Sequence, residues 1–513
     1  MRIGIDVGGT NTDSVLIDGT QIVRKSKTTT TEDITNGVKN SLHAILPPED
    51  KNLGVDAVMI GTTHFTNALL QRNRLAITAA LRLCLPATQM LPPMVDWPKE
   101  MKKSIKGYTY LVDGGFEFDG REISTIDDDQ IRRAADDMAN NGVEAIAISG
   151  IFSSVDPSQE QIAAQIIQEE TPHIKISMSH EIGRVGVLER ENATILNACL
   201  STTSDSVVGA FREAVEELNL GSALFLTQND GTLMDADFAT KYPVYSISSG
   251  PTNSMRGAAF LTGIQNAIVA DIGGTSTDVG ILRNGFPRES TVAIEVGGVR
   301  TNFRMPDVLS IALGGGSIVT TSPIVIGPES VGLQLTERSL LFGGSIRTAT
   351  DIAAAAGLVN IGNKSLLSEI SEEDIKSSLN MMNVMTEDVI DRLKFNADDI
   401  PVILVGGGHF LIGDDLTGAS EVLRPENGEI ANAIGAAIAQ VGGQSESVYS
   451  LAEMSREEAL SAATEEAKKR AISAGANPKT LMVVDVEEIP LTYLPSNAIR
   501  IRVKVVGDIP EIS

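Results

Sequence analysis

Hydrophobic positions near the N-terminus recur with a strand-like period. Ile3, Ile5 and Val7 read as one strand and Val15, Leu16 and Ile17 as the next, joined through a Gly8-Gly9 bend. The pattern returns at Ile268, Val269, Ala270 and Ile272, followed by Val279, Ile281 and Leu282. Asp18-Gly19 and Asn284-Gly285 are hairpin-turn signals after each pair, so each copy predicts a β-meander that opens a domain. Between the copies, residues 143–149 alternate as a strand. A helix is then predicted from Asp156-Pro157, with Asp156 as cap, Pro157 at the first helical position and Gln159 closing a capping box. Ile162, Ile166 and Ile167 form its apolar face, Thr171-Pro172 ends it, and residues 174–178 return as a strand. That strand–helix–strand unit predicts a partly parallel sheet. Further on, residues 188–218 predict a long helical connection and 402–406 an apolar strand entering glycines. Residues 430–441 predict a small-residue helix suited to close packing, and roughly 480–513 a strand-rich tail.

The two meanders share more than a period. Asp6–Asp13 (DVGGTNTD) and Asp271–Asp278 (DIGGTSTD) differ only at Val7/Ile272 and Asn11/Ser276, about half the chain apart. A repeat at that distance predicts two domains of common ancestry and not a solenoid. The expected division is 1–187, 188–479 and a tail of 480–513, in an α/β fold.

Composition narrows the function classes. A net charge of −26 leaves no basic surface for a nucleic-acid partner and makes an anionic membrane unattractive. It does not exclude a nucleotide, because metal ions and backbone N–H groups hold phosphates inside acidic proteins. Cys84 and Cys199 are far apart and flanked by apolar residues, which predicts buried thiols and a reducing compartment. The opening MRIGIDVGG is strand-like and unlike a signal peptide, and no segment is apolar enough to span a bilayer. A soluble cytoplasmic protein is the expectation.

In each repeat, paired glycines after a strand bring bare N–H groups close to an anion. The hydroxyls of Thr10, Thr12, Thr275 and Thr277 are candidate donors to phosphate oxygens, and Asp6 and Asp271 are hard oxygen ligands or water-holders for Mg²⁺. Either loop alone is an ordinary glycine-rich bend; two near-identical copies point to phosphate binding. Gly406-Gly407-Gly408-His409 follows an apolar strand and offers bare backbone to a purine or ribose, while Gly314-Gly315-Gly316-Ser317 is a fourth cluster; either is also readable as a tight connection. No Gly-x-x-x-x-Gly-Lys-Ser/Thr loop is present. The five histidines lack H-x-x-x-H or H-x-H spacing, which argues against a dedicated Zn²⁺ site. His64 and His409 each read as either cleft or structural residues.

These loops, with the later triple glycine and the two-half layout, resemble the actin/hexokinase/acetate-kinase superfamily, whose ribonuclease H-like domains enclose an ATP cleft. Within it, IGTTHFTNALLQR at 60–72, NATILNACL at 192–200, SISSGPTNSMRGAAFL at 246–261 and DIGGTSTDVGIL resemble the hydantoinase A/5-oxoprolinase family. Acetone-carboxylase-type subunits share the pattern. The resemblance implies that Asp6, Gly8, Gly9, Thr10 and Thr12 form one phosphate loop and Asp271, Gly273, Gly274, Thr275 and Thr277 the other. Gly406, Gly407 and Gly408 would border the adenosine, with Asp6 and Asp271 on Mg²⁺ and the attacking oxygen. Asp13 and Asp278 would orient the loops. It further implies ATP-dependent opening of a hydantoin- or 5-oxoproline-like cyclic amide, in an oligomer with a second, hydantoinase B-type subunit for hydrolysis. An ATP-dependent carboxylase subunit and an actin-like ATPase are the alternatives.

Overall fold

The computed structural model describes residues 1–9, 11–30, 33–46, 54–217, 221–290, 294–303, 305–321, 323–394, 396–491 and 497–510. Its two meanders organise two mixed sheets in the same way. Strand Arg2–Val7 pairs antiparallel with Asn11–Asp18 and parallel with Ala57–Thr62; strand Ala267–Ile272 pairs antiparallel with Thr277–Arg283 and parallel with Ile400–Val405. A third strand extends each antiparallel side (Gln21–Thr29, Phe286–Pro287) and a further parallel strand the other (Ala223–Thr227, Ala419–Leu423). Registers match as well: Asp6 faces Asp13 across one hairpin and Asp271 faces Asp278 across the other. The duplication seen in eight residues thus extends to five strands per half, and the fold is the expected α/β type.

The hairpin turns differ in detail. Asn284 and Gly285 both hold positive φ (52° and 76°) between paired Arg283 and Phe286, as a type I′ turn requires. In the first copy the loop is shifted by one, to Gly19-Thr20, with Gly19 at φ 58° between paired Asp18 and Gln21.

Two helices fill the space between the sheets. Ser249–Thr262 lays Met255, Ala258 and Ala259 on Ala267, Val269 and Ile403 of the second sheet. Ala431–Ile438 lays Ala433, Ile434 and Ala437 on Val15 and Ile17 of the first. Glycine is required where these helices meet, because a Cβ at Gly257 would stand 1.9 Å from the Ala431 carbonyl oxygen and one at Gly435 1.8 Å from that of Asn253. The small-residue pattern of 430–441 is therefore a packing surface, as expected.

Residues 78–178 contribute a separate four-stranded parallel sheet, ordered Tyr108–Asp113, Thr78–Leu85, Ala145–Gly150, Lys175–Met178. The helix predicted from 156 runs Ser158–Glu170, but two details differ. Gln159 is buried and its amide oxygen accepts from the Gly115 N–H instead of closing a capping box, and Ile162 is 42% exposed. The buried face is Ala163, Ile166 and Ile167, set by what the adjacent sheet covers. Helix Val187–Cys199 fastens this sheet to the rest through Glu191, which receives both Nε and an Nη of the fully buried Arg82 (2.7 and 2.5 Å).

Sheet membership crosses the boundaries expected at 187 and 479. Strands Ala223–Thr227 and Leu233–Asp235 belong to the first sheet, and so do Val441–Ser450, Ala498–Gly507 and Met482–Pro490, making it nine-stranded among the described residues. Within the tail, Ala498–Gly507 pairs continuously with Val441–Ser450, from Val441↔Gly507 to Ser450↔Ala498, and Met482–Pro490 pairs with Ala498–Gly507. Both cysteines are buried and free, and among the described residues no helix is long and apolar enough to cross a membrane.

Candidate functional site

Both repeat loops form the same turn, Gly8 N–H donating to the Asn11 carbonyl (3.0 Å) and Gly273 N–H to that of Ser276 (2.9 Å). Among the described residues nothing stands within 4 Å of a Cβ at Gly9 or Gly274, so the Cα side of both tips is open, and Thr275 is exposed beside Gly274. Thr10 lies outside the described residues. Thr12 and Thr277 are both fully buried, Thr12 sharing a hydrogen bond with Thr30 (3.1 Å) and Thr277 donating to the Leu313 carbonyl (2.6 Å), bonds that hold the two loops.

The later glycine clusters divide similarly. Gly315 and Gly316 donate to the carbonyls of Gly273 and Gly274 (3.0 and 2.7 Å), so the fourth cluster clamps the second loop. A Cβ at Gly406 would stand 2.3 Å from Asp271 Oδ1 and one at Gly408 2.7 Å from Ile272, whereas Gly407 is open. Two of the three glycines permit close packing against the second loop; one presents free backbone.

Asp6 and Asp271 are reached by consecutive residues of one helix. Asn253 and Ser254 are adjacent on helix Ser249–Thr262; Asn253 Nδ2 reaches Asp6 Oδ1 (3.5 Å) and Ser254 Oγ donates to Asp271 Oδ2 (2.5 Å). From the facing helix, Asn432 Nδ2 donates to Asp6 Oδ2 (3.0 Å) and Asp13 Oδ2 (3.1 Å). Lys27 pairs with Asp13 (2.5 Å), and Ser310 donates to Asp278. Asp13 and Asp278 therefore answer to side chains of neighbouring strands and helices. Asn253, Ser254, Asn432 and Lys27 were not singled out from sequence. For the first three the available signal was polar residues within two helices rich in small residues; Lys27 lies on strand Gln21–Thr29.

Burial dominates the electrostatics. The Asp6 carboxyl is pushed from 3.8 up to about 7 by burial, then by the charges of Asp13 and Asp271, against hydrogen bonds from Asn253 and Asn432. Burial also raises Asp271, to about 6, opposed by the Ser254 hydrogen bond and reinforced by Asp278 and Asp13. Burial raises Asp278 too, against its Ser310 bond. A raised carboxyl favours folding while protonated, so this contribution is complete below pH 3.8 and is lost as pH rises through about 6 and about 7. At neutral pH the site carries excess negative charge that a cation would relieve. Among the described residues no three His, Cys, Asp or Glu side chains form a metal cage.

His64 sits at the start of helix His64–Gln71, one residue from Thr63, whose N–H donates to the Val7 carbonyl. Its Nδ1 bonds Thr62 Oγ1 (2.6 Å), and burial, with the charge of Arg74, lowers it to about 4, so it is neutral. His409 is also lowered, by burial and then by Arg424.

Residues 2–171 match the hydantoinase/oxoprolinase N-terminal region and residues 190–405 match hydantoinase/oxoprolinase. The chain is similar to the caprolactamase subunit alpha of Pseudomonas jessenii, 27% identical over 70% of this chain and 55% of that one. It is also similar to the acetophenone carboxylase gamma subunit of Aromatoleum aromaticum, 25% identical over 70% of this chain and 53% of that one. The aligned stretch thus spans about half the length of these relatives. In three dimensions, the crystal structure of ATP-dependent caprolactamase from Pseudomonas jessenii superposes with a TM-score of 0.76 at 20% identity, covering 100% of this chain and 89% of that one.

Proposed function

The chain belongs to the hydantoinase/oxoprolinase family, and from that premise we propose that it binds ATP between its two repeat loops and uses the terminal phosphate to activate a cyclic amide. One observation carries the reading: two consecutive residues of one helix, Asn253 and Ser254, hold the equivalent carboxylates of both halves, Asp6 and Asp271. That arrangement sets two glycine-tipped loops around buried carboxylates, offset in part by Lys27 beside Asp13. The relatives lend support, since one solved structure of this fold is named an ATP-dependent caprolactamase.

In this reading the open backbone at Gly9 and Gly274 takes phosphate oxygens, Thr275 adds a hydroxyl, and Gly407 borders the adenosine. Mg²⁺ held by Asp6 and Asp271 would neutralise phosphate charge. The lactam oxygen attacks the γ-phosphorus, the bond from that phosphorus to the β–γ bridging oxygen breaks, and the amide N–H proton is lost, giving ADP and an imidate phosphate. Water then opens the ring and releases phosphate. Positioning and charge neutralisation supply most of the rate in phosphoryl transfer, and two preorganised loops provide both. Both relatives are named as subunits, which supports assigning the hydrolytic step to a second polypeptide.

The test is Mg²⁺-dependent ADP release by purified protein, with and without hydantoin, 5-oxoproline and an unsubstituted lactam. Stimulation by one ring is expected; bicarbonate-dependent release without any ring would replace this reading with the carboxylase one. Loading the site also moves protons. Because Asp6 and Asp271 titrate near 7 and 6, Mg²⁺–nucleotide affinity is expected to rise with pH through that range. Calorimetry at neutral pH in buffers of different ionisation heat is expected to record proton release on binding, and heats independent of the buffer would refute it.

A further inference from the structure

The duplicated carboxylate site is not symmetric in charge. Across the first sheet one register row reads Gly61, Asp6, Asp13, Lys27. Across the second the equivalent row reads Val405, Asp271, Asp278, Ser310, with Ser310 on strand Val308–Ile311. The first three positions correspond as the repeat requires, a residue without a polar side chain and then two aspartates. At the fourth, a cation stands on one side and a neutral hydroxyl on the other. Ser310 donates to Asp278 and brings no charge. Among the described residues, Lys27 is the one Lys or Arg paired with any of the four aspartates.

Lys27 is placed to leave that partner. Asp13 is buried and stays fixed without it, because Asn432 donates to its other oxygen (3.1 Å), whereas 43% of the Lys27 side chain is exposed. An ion pair open to solvent is worth little, so turning the ammonium to a second anion costs little, and its long stem is flexible enough to do so. Lys25, two residues earlier and therefore on the same face, is already committed to Asn427 and Glu429 of the second half (2.7 Å each). That face of the strand looks toward the second half. The Lys27 charge is felt there: burial is the main force raising Asp271, and the Ser254 hydrogen bond and then Lys27 oppose it.

We propose that Lys27 is a catalytic cation whose Nζ turns from Asp13 to an oxygen of the γ-phosphoryl group when nucleotide binds. The inference rests on the nucleotide reaction proposed above, and it gives the nucleotide a direction. Gly407 follows strand Ile400–Val405 and belongs to the second half. With adenosine there, the phosphate chain runs toward the first loop, and its terminal group ends on the half that holds the cation. Four aspartates around a polyphosphate call for positive charge beyond one divalent ion. As the bond to the β–γ bridging oxygen breaks, an ammonium beside the transferring group offsets the charge spread over its oxygens. Serine, at the equivalent position of the second half, carries no charge with which to do this.

The test compares binding of Mg²⁺–ADP and of the Mg²⁺ complex of the β,γ-imido analogue of ATP to the full chain, because only the analogue carries a γ-phosphoryl group. Lys27→Met keeps an unbranched stem and removes the charge. It is expected to weaken the analogue by about tenfold or more while leaving ADP within about twofold of wild type. Lys27→Gln, with a shorter polar side chain, guards against a packing effect and should show the same selective loss. Adding Asp13→Asn to Lys27→Met separates a phosphate contact from mere neutralisation of Asp13, and the defect is expected to persist. Equal weakening of both ligands, an unchanged preference between them, or recovery of the analogue's affinity on adding Asp13→Asn overturns the assignment and leaves the proposed reaction standing. Wild-type protein that binds neither ligand removes that reaction, and this inference with it.

Discussion

Asp271→Asn is expected to lower Mg²⁺-dependent ADP release by on the order of 10³-fold while raising the melting temperature at neutral pH. The two effects have one cause. Asp271 is held at about 6 by burial and by the charges of Asp278 and Asp13, so at neutral pH its ionised form is carried at a cost to the fold. Asparagine keeps the shape and can still accept from Ser254, whose Oγ lies 2.5 Å from the carboxylate, but it brings no charge. The repulsion disappears, and with it the negative charge proposed to hold the cation against the nucleotide. Single-turnover ADP formation and thermal melts on the same preparation check both signs. A variant with lost activity and a lowered melting temperature would mean that the residue is structural; one with full activity would remove Asp271 from the proposed chemistry.

The second large effect belongs to a residue that touches no ligand. Gly435→Ala places a methyl 1.8 Å from the Asn253 carbonyl oxygen and 2.6 Å from its carbon, both backbone atoms that cannot swing aside. The two central helices must separate, with an expected cost of about 1–3 kcal/mol or more. The consequence reaches the site because Asn253 and Ser254 lie on one helix and Asn432 on the other, and these three hold Asp6 and Asp271. ATP affinity is therefore expected to fall together with denaturation midpoint. Gly209→Ala is the control. It lies within helix Ser201–Glu217 with nothing within 4 Å of its Cβ, and should stabilise by roughly 0.5–1 kcal/mol with unchanged nucleotide binding. Urea titrations of both variants, with ATP binding measured alongside, separate the packing effect from helix propensity. Equal behaviour of the two would mean that the helix contact is looser than 1.8 Å implies.

Local pattern alone determined a good deal of this molecule. The period-two runs ending in Gly-Gly, repeated half a chain apart, specified two equivalent meanders, because strand periodicity and a glycine turn are properties of a few consecutive residues. The same is true of the buried thiols and of the small-residue character of Ala431–Ile438. Tertiary structure decided everything that depends on which surface meets which. It buried Thr12 and Thr277, since the inward side of each strand is settled by the helix or loop packed on it. It exposed Ile162 and turned Gln159 inward, because the adjacent sheet covers a different face of that helix from the one its isoleucines suggested. It attached Ala498–Gly507 to the first sheet by pairing it with Val441–Ser450, and Met482–Pro490 by pairing it with Ala498–Gly507. Most consequentially, it brought Asn432 to Asp6 across more than four hundred residues and Ser254 to Asp271, contacts for which no spacing in the chain is a sign. A carboxylate at a strand end is legible in one dimension; the partners that tune its charge are chosen by how two helices pack between two sheets.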